Sequence, residues 1–500
     1  MIQNRHNPEI EINKNEFQKI GYQLIDRVSD FLDTIRQKPV TCGESPSTLA
    51  ALLGDMPLPE NGRSAELLLA ETTELLFKHS LFNGHPKFMA YITSSAAPIG
   101  SLADLLAATV NPNVGAQILS PIATEIEKQT ISWLAEFIGV PSNRGGILVS
   151  GGNMANFTGF LAGRTAKAPK SIKTEGVNVL DKLTFYCSKT THTWIEKAAV
   201  IFGHGTNAIR WIVTDADHKM NNTILQETIQ ADIKQGYKPI MVIGTAGDVS
   251  TGVVDKLKEI SIICKKYDLW FHIDGAYGIP AAIIPSMKKI FEGIEDADSI
   301  ALDPHKWLYS PLEAGCTLVK DPKHLLDTFS SHPDYYNFDG AEGEMAHNFY
   351  EYGLQNSRGF RALKVWLALQ QIGKKGYQKL IAEDIELSEL LSDLAKANEE
   401  LEAITQNLSI STFRYVPRES KYNKNENYLN KLNEVLLNKL QAGGEVFLSN
   451  AVVHEKYCLR ACIVNFRTSK RDIEEIINII VREGRKVHSE LSQVIDFIKS

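Results

Sequence analysis

Apolar residues at Phe17, Ile20, Leu24, Ile25, Val28, Phe31, Leu32 and Ile35 recur every three or four positions, which predicts a helix with one greasy stripe. The stripe lies far in sequence from any main core. It is buried either on its own domain or on a second copy of the chain, and the pattern leaves both open. A Pro/Gly-rich passage follows to about residue 62. From residue 146 the pattern changes. Short runs that are apolar at most positions, 146–149, 183–187, 209–213, 239–243 and 269–273, alternate with amphipathic stretches. The latter begin after Gly152 (Met154, Phe157 and Leu161 on one face), near Asn222 and near Val253. Strands of this kind separated by such helices predict a parallel sheet covered on both faces. A further apolar run ends at Asp303-Pro304, where the chain must turn because proline lacks an N–H and restricts the residue before it. Thr193 and Glu196 have the spacing of a capping box, so a helix is expected to start there with His192 just outside it. Toward the end, runs at 410–415, 446–448 and 457–464 and a helix from about Arg471 predict a smaller α+β domain. The polar stretch 418–427 reads as an exposed loop. Residues 328–345 carry neither period and read as a long loop, a lid or a disordered segment.

Five hundred residues suit two domains with an arm better than one core. A net charge of −7 provides no basic field, which argues against nucleic acid as a partner. The six cysteines are scattered, mostly in apolar company, and lack Cys-x-x-Cys pairs, as expected of reduced thiols rather than disulfides or zinc ligands. The start, Met-Ile-Gln-Asn-Arg-His, lacks the apolar core of a signal peptide, and no run approaches the roughly 18 apolar residues of a membrane helix. A cytoplasmic protein without a metal is the expectation.

Four candidate chemical groups fall at strand ends. Ser150-Gly151-Gly152-Asn153 joins a strand to a helix, the geometry in which free N–H groups and the helix dipole hold a phosphate; a plain tight turn is the alternative. His192 sits at a strand-to-helix corner, where a solvent-exposed capping histidine is the alternative. Asp274 ends a strand, and small Gly275 and Ala276 after it leave room for something flat. Lys306 follows the Asp-Pro turn beside apolar Trp307 and Leu308, where partial loss of hydration makes an amine a usable nucleophile. Pyridoxal phosphate needs these four: an amine for its aldehyde, a carboxylate for its ring nitrogen, an imidazole on its face and a cradle for its phosphate. Phe88, Tyr91 and the small residues at 93–98 suit a pocket wall and an ordinary loop alike.

At Asp303-Pro304-His305-Lys306-Trp307, His272-Ile273-Asp274-Gly275-Ala276-Tyr277-Gly278 and Ser150-Gly151-Gly152-Asn153-Met154-Ala155-Asn156, the chain resembles the group II pyridoxal-phosphate-dependent amino-acid decarboxylases, the aromatic-L-amino-acid enzymes above all. The resemblance runs from the N-terminal helix to the last strand. It implies an α/β fold of fold-type I, PLP-dependent-transferase-like. The parts are a helical arm over 1–85 swapped across a homodimer, a large domain with a mostly parallel seven-stranded sheet over 86–375, and a small C-terminal α+β domain over 376–500. It implies Lys306 as the covalent anchor of pyridoxal 5'-phosphate, Asp274 at the ring nitrogen and His192 on the ring. Gly152, Asn153 and Asp303 would contact the phosphate, with Thr245, Ala276 and His305 also against the cofactor. Ala246 stands where animal aromatic decarboxylases carry threonine, which takes away one phosphate-side hydroxyl. Tyr335 matches the tyrosine that protonates the substrate carbon, with Tyr336 one residue off as its rival. Relatives that make aldehydes carry phenylalanine there, so Tyr335 speaks for simple decarboxylation. Arg460, on a strand with apolar neighbours, needs an anion. It resembles the arginine that holds the substrate carboxylate in glutamate decarboxylases, and an internal ion pair is the alternative.

The implied reaction is decarboxylation of an L-amino acid to its amine and carbon dioxide. Phe88, Tyr91 and Trp307 as aromatic walls favour an aromatic substrate, and Tyr91, Ser94 and Arg460 are the candidate substrate contacts. Ile92 and Ser94 lie where relatives vary their pocket. A glutamate- or aspartate-type decarboxylase, an aldehyde synthase and a catalytically silent binding protein are the other readings.

Overall fold

A computed structural model describes residues 10–177, 182–331 and 346–499, with side chains to residue 493. The large sheet is built from β1 (Gly145–Val149), β2 (Leu183–Ser188), β3 (Ile209–Ile212), β4 (Lys238–Thr245), β5 (Trp270–Asp274), β6 (Ser299–Leu302) and β7 (Gly315–Val319). Their order is β1-β7-β6-β5-β4-β2-β3. β7 runs antiparallel to both its neighbours, and every other pairing is parallel. Flanked by two antiparallel pairings, β1 therefore points the same way as β6. The residues that follow β1, β2, β4, β5 and β6 all emerge at one edge. Six of the seven strands are buried nearly throughout, as their continuous Ile, Val, Leu and Phe content demands when helices cover both faces.

The second sheet holds β8 (Leu401–Asn407), β9 (Ile410–Tyr415), β10 (Ser449–Val453) and β11 (Lys456–Cys462), in the order β10-β11-β9-β8 and antiparallel throughout. The helices Glu426–Gly443 and Lys470–Lys499 pack with it. The long helical stretch Ala362–Ala397 packs on the helices Pro98–Val110 and Pro121–Phe137 and on β8 and β9 of the second sheet, and is broken at Gly373, whose φ of 66° suits glycine. The fold is thus the α/β arrangement expected, a mostly parallel seven-stranded sheet beside a small α+β unit.

The N-terminal helix, Lys14–Thr34, lies against the helix Ala65–His79. Lys19 pairs with Glu66 at 2.7 Å, and Phe31 stacks on Phe77 at 4.2 Å. Only part of its stripe is covered: Ile20 is buried, whereas Phe17 and Ile25 remain exposed. Further along, Arg36 pairs with Asp472 at 2.6 Å, tying the end of this segment to the small domain.

Three local expectations are corrected. Thr193 makes no capping bond to the helix Trp194–Ile201; the His192 ring accepts the Trp194 N–H instead. The helix expected near Val253 starts at Leu257, because Asp248 first accepts the N–H groups of Ser250, Thr251 and Val253 and winds the chain into a turn. The run 446–448 is no strand of the small sheet. Phe447 bridges Phe88 of the segment entering the large domain, and the strand begins at Ser449. The 418–427 stretch is a loop up to Asn425, where the helix Glu426–Gly443 begins, yet Tyr422 is buried within it. Among the described residues no helix is long and apolar enough to cross a membrane.

Candidate active site

At the edge where β1, β2, β4, β5 and β6 end lies a cavity of about 880 Å³. Gly152, Asn153, His192, Thr245, Asp274, Ala276, Asp303, His305 and Lys306 all line it, as do Tyr91 and Arg460. The lining residues from Gly152 to Lys306 meet because the strands deliver their C-terminal turns to a common edge, whereas Tyr91 comes from the segment before the sheet and Arg460 from β11 of the small sheet.

At one end β1 turns at Gly151, whose φ of 136° few side chains tolerate, into the helix Gly152–Lys167. No side chain caps this helix, so its first N–H groups face the cavity unclaimed. A Cβ at Gly152 would stand 2.6 Å from Asp303 Oδ2, so only glycine leaves this cradle its depth. At the other end, Asp274 is 8% exposed; its Oδ1 accepts the Ala276 N–H at 3.2 Å and its Oδ2 the Trp194 indole N–H at 2.8 Å. His192 uses Nδ1 to accept the Trp194 backbone N–H at 3.3 Å, which leaves the ring proton on Nε2. Burial pushes the His192 pKa below the ordinary imidazole value, opposed by the Asp274 charge. The ring is therefore neutral at pH 7.

Lys306 retains partial access to the cavity, and its Nζ lies 3.1 Å from Oδ2 of the fully buried Asp303. His305 packs beside the glycine turn, with Nδ1 2.7 Å from the Ala314 carbonyl, and burial lowers its pKa. The turn is held from beneath. Trp307 and Tyr309, flanking Leu308 just after the lysine, donate to one carboxylate oxygen of Asp384 at 2.8 and 2.6 Å. Burial raises Asp384 to about 7.

Arg460 is 2% exposed, and its Nη1 donates to the Tyr91 carbonyl at 3.1 Å and Ser449 Oγ at 2.9 Å. Its Nε and Nη2 have no partner among the described residues, and no acid lies within ion-pair distance there. The internal ion pair allowed by the sequence is absent from the described structure.

Other expectations fare differently. Ser94 does not line the cavity; its hydroxyl donates to the His305 carbonyl at 3.0 Å. Phe88 and Trp307 are not walls: Phe88, bridged to Phe447, stacks on its ring, and Trp307, in the turn after the lysine, is buried against Tyr277. Tyr91 alone of the three expected aromatics faces the cavity. Tyr335 and Tyr336 lie outside the described residues. Trp194 and Asp384 went unnoticed in the sequence; their only signal was an indole two residues after His192 and an acid on an apolar helix face. Among the described residues no cluster of three His, Cys, Asp or Glu could hold a metal.

An uncapped helix start deepened by a glycine, a fixed carboxylate, a neutral imidazole and an accessible lysine around one cavity fit pyridoxal phosphate. They define a pyridoxal-phosphate enzyme of fold-type I. The comparisons with known proteins carry this further. Residues 46–416 match the model of the pyridoxal-dependent decarboxylase conserved domain, and the chain belongs to that family. It is 33% identical over 469 residues to the aromatic-L-amino-acid decarboxylase of Bacillus atrophaeus, covering 94% of this chain and 95% of the relative. With the phenylacetaldehyde synthase of Petunia hybrida it shares 29% over 480 residues, 94% of each chain. The crystal structure of Oryza sativa TDC with PLP and tryptamine superposes with a TM-score of 0.89 at 24% identity, over 95% of this chain and 99% of that one. The protein is a pyridoxal-phosphate-dependent amino-acid decarboxylase.

Proposed function

We propose that the substrate is an aromatic L-amino acid, of the tyrosine, DOPA or tryptophan kind, converted to its amine and carbon dioxide. The observation that carries the amino-acid half of this reading is Arg460, a buried cation that lines the same cavity as Lys306 and whose Nε and Nη2 have no partner among the described residues. A guanidinium so buried calls for an anion, and the substrate carboxylate supplies one. For the aromatic side chain, Tyr91 on the cavity wall and the similarity to the aromatic-L-amino-acid decarboxylase of B. atrophaeus and to tyrosine decarboxylase 3 of Petroselinum crispum give support.

In this reading Lys306 is the covalent anchor, with Asp303 holding its ammonium in place until it is engaged. The helix start at Gly152 and Asn153 receives the phosphate beside Thr245, Ala276 and His305. Asp303, beside Gly152 and paired with Lys306, would stand next to that phosphate. Asp274 would keep the ring nitrogen protonated, and His192, with its proton on Nε2, would contact the ring. Bound pyridoxal phosphate supplies an aldehyde for the substrate amine and a ring that accepts the electron pair left when carbon dioxide departs. Arg460 fixes the carboxylate and so the orientation of the bond that breaks. Tyr335 is the proposed proton donor to carbon, and Ser94 acts indirectly, by holding the His305 carbonyl.

The N-terminal arm and the exposed Leu105, Leu106, Val110 and Ile122 support a homodimer in which a second copy covers them. The six free cysteines, five of them buried, support a reducing, cytoplasmic setting. Purified holoenzyme incubated with a panel of L-amino acids tests the reading. Equal amounts of carbon dioxide and arylalkylamine are expected. Turnover confined to glutamate or aspartate would overturn the aromatic assignment, and hydrogen peroxide with ammonia would identify an aldehyde synthase.

A further inference from the structure

We propose that Trp194 is a positioning residue for the Asp274 carboxylate: its indole N–H claims Oδ2 and thereby presents the carboxylate to the cofactor ring in one orientation. The proposal rests on the reading of Asp274 as the partner of the ring nitrogen.

The indole is fully buried at the first turn of the helix Trp194–Ile201, with Nε1 2.8 Å from Oδ2. Among the described residues it is the sole side-chain donor to Asp274, the other bond being the Ala276 N–H on Oδ1 at 3.2 Å. The same residue gives its backbone N–H to His192 Nδ1. One tryptophan thus ties together the imidazole and the carboxylate, which stand on different elements.

Its ring has no freedom to leave. Phe157, Phe160 and His272 meet it edge-on with centroids at 6.5, 6.4 and 5.7 Å. His272 is itself pinned, with Nε2 2.8 Å from Asn156 Oδ1 and Nδ1 2.7 Å from Ser299 Oγ, the latter also accepting the Trp270 indole N–H. With both ring nitrogens engaged, His272 cannot turn to Asp274, two residues further along the strand. The task of holding the carboxylate falls to Trp194. An N–H bonded to an ionised carboxylate in a buried site is among the stronger hydrogen bonds, and it costs nothing to organise when the cofactor arrives.

Two variants test this. Trp194→Phe removes the N–H and part of the ring; replacing Trp194 with 3-benzothienylalanine keeps the bicyclic outline and removes the N–H alone. Cofactor affinity by spectral titration, the visible absorption of the bound cofactor against pH, and kcat and KM are measured for each. Loss of one charge-assisted hydrogen bond corresponds to about ten- to a hundredfold. Both variants are expected to bind pyridoxal phosphate weaker by that factor, to shift the pH dependence of its absorption, and to lose kcat with KM held within twofold. A benzothienylalanine protein with affinity and absorption within twofold of wild type would overturn the proposal, even if Trp194→Phe misfolds, because packing alone would then account for the tryptophan. Asp274→Asn separates the two readings: if it leaves affinity and absorption unchanged, the assignment of Asp274 fails. If it impairs both while the benzothienylalanine protein does not change, only the role of Trp194 fails.

Discussion

Arg460 illustrates how a single side chain acquires meaning from what it lacks. Its sequence neighbours, Leu459 and Ala461, reveal a buried strand but not whether an acid waits across the sheet. The structure offers Ser449 Oγ and the Tyr91 carbonyl, two neutral acceptors, and leaves Nε and Nη2 buried and without a partner among the described residues, on a side chain that lines the cavity. If these groups hold the substrate carboxylate, Arg460→Met should raise KM by about ten- to a hundredfold, the worth of a hydrogen-bonded charge, and leave the bound cofactor's absorption unaltered. An unchanged KM would assign Arg460 to the framework. The lysine, aspartate and histidine were legible for the opposite reason. Each directly ends or follows a strand, so its place at the sheet edge depends on strand polarity alone. Phe88 and Trp307 show the limit of that logic, since a residue of an isolated bridge or a turn faces core or cavity according to packing that no period encodes.

Among the elements, the helix Pro121–Phe137 is fastened to β1 by an ion pair with almost no solvent contact. Arg358 donates to Glu127 Oε1, to the Leu148 carbonyl at 2.6 Å and to the Val114 carbonyl at 2.7 Å, and Glu127 Oε1 in turn accepts the Leu148 N–H at 3.0 Å. β1 leads straight into the Gly151 turn, so this lock also steadies the glycine turn that lines the cavity. Glu127→Ala leaves the guanidinium buried and uncompensated, and should cost about 3–5 kcal/mol. Urea unfolding of the variant checks this, and a midpoint equal to wild type would contradict it. The pairing was invisible in the sequence because the partners stand 231 positions apart. The capping bond expected of Thr193 and the helix start expected near Val253 failed for a related reason: side chains of His192 and Asp248 claimed the local N–H groups first.

For the whole molecule, the question is what covers the apolar residues left in solvent along the helix Pro98–Val110 and at Ile122. The proposed homodimer would bury them. Leu105→Glu combined with Ile122→Glu is then expected to convert a species of twice the 55.6 kDa chain mass into single chains in sedimentation velocity. Wild-type protein sedimenting as single chains would remove the dimer reading. By itself the sequence determined the α/β class and the position of four chemical groups at or just after strand ends. It could do so because strand polarity, proline turns and glycine turns are local properties written in neighbouring residues. Only the tertiary structure decided that Arg460 has no internal acid within the described residues, that Trp194 holds Asp274, and that of three candidate aromatic walls only Tyr91 meets the cavity. Those are contacts between distant segments, fixed by how side chains fill space once the strands have been aligned.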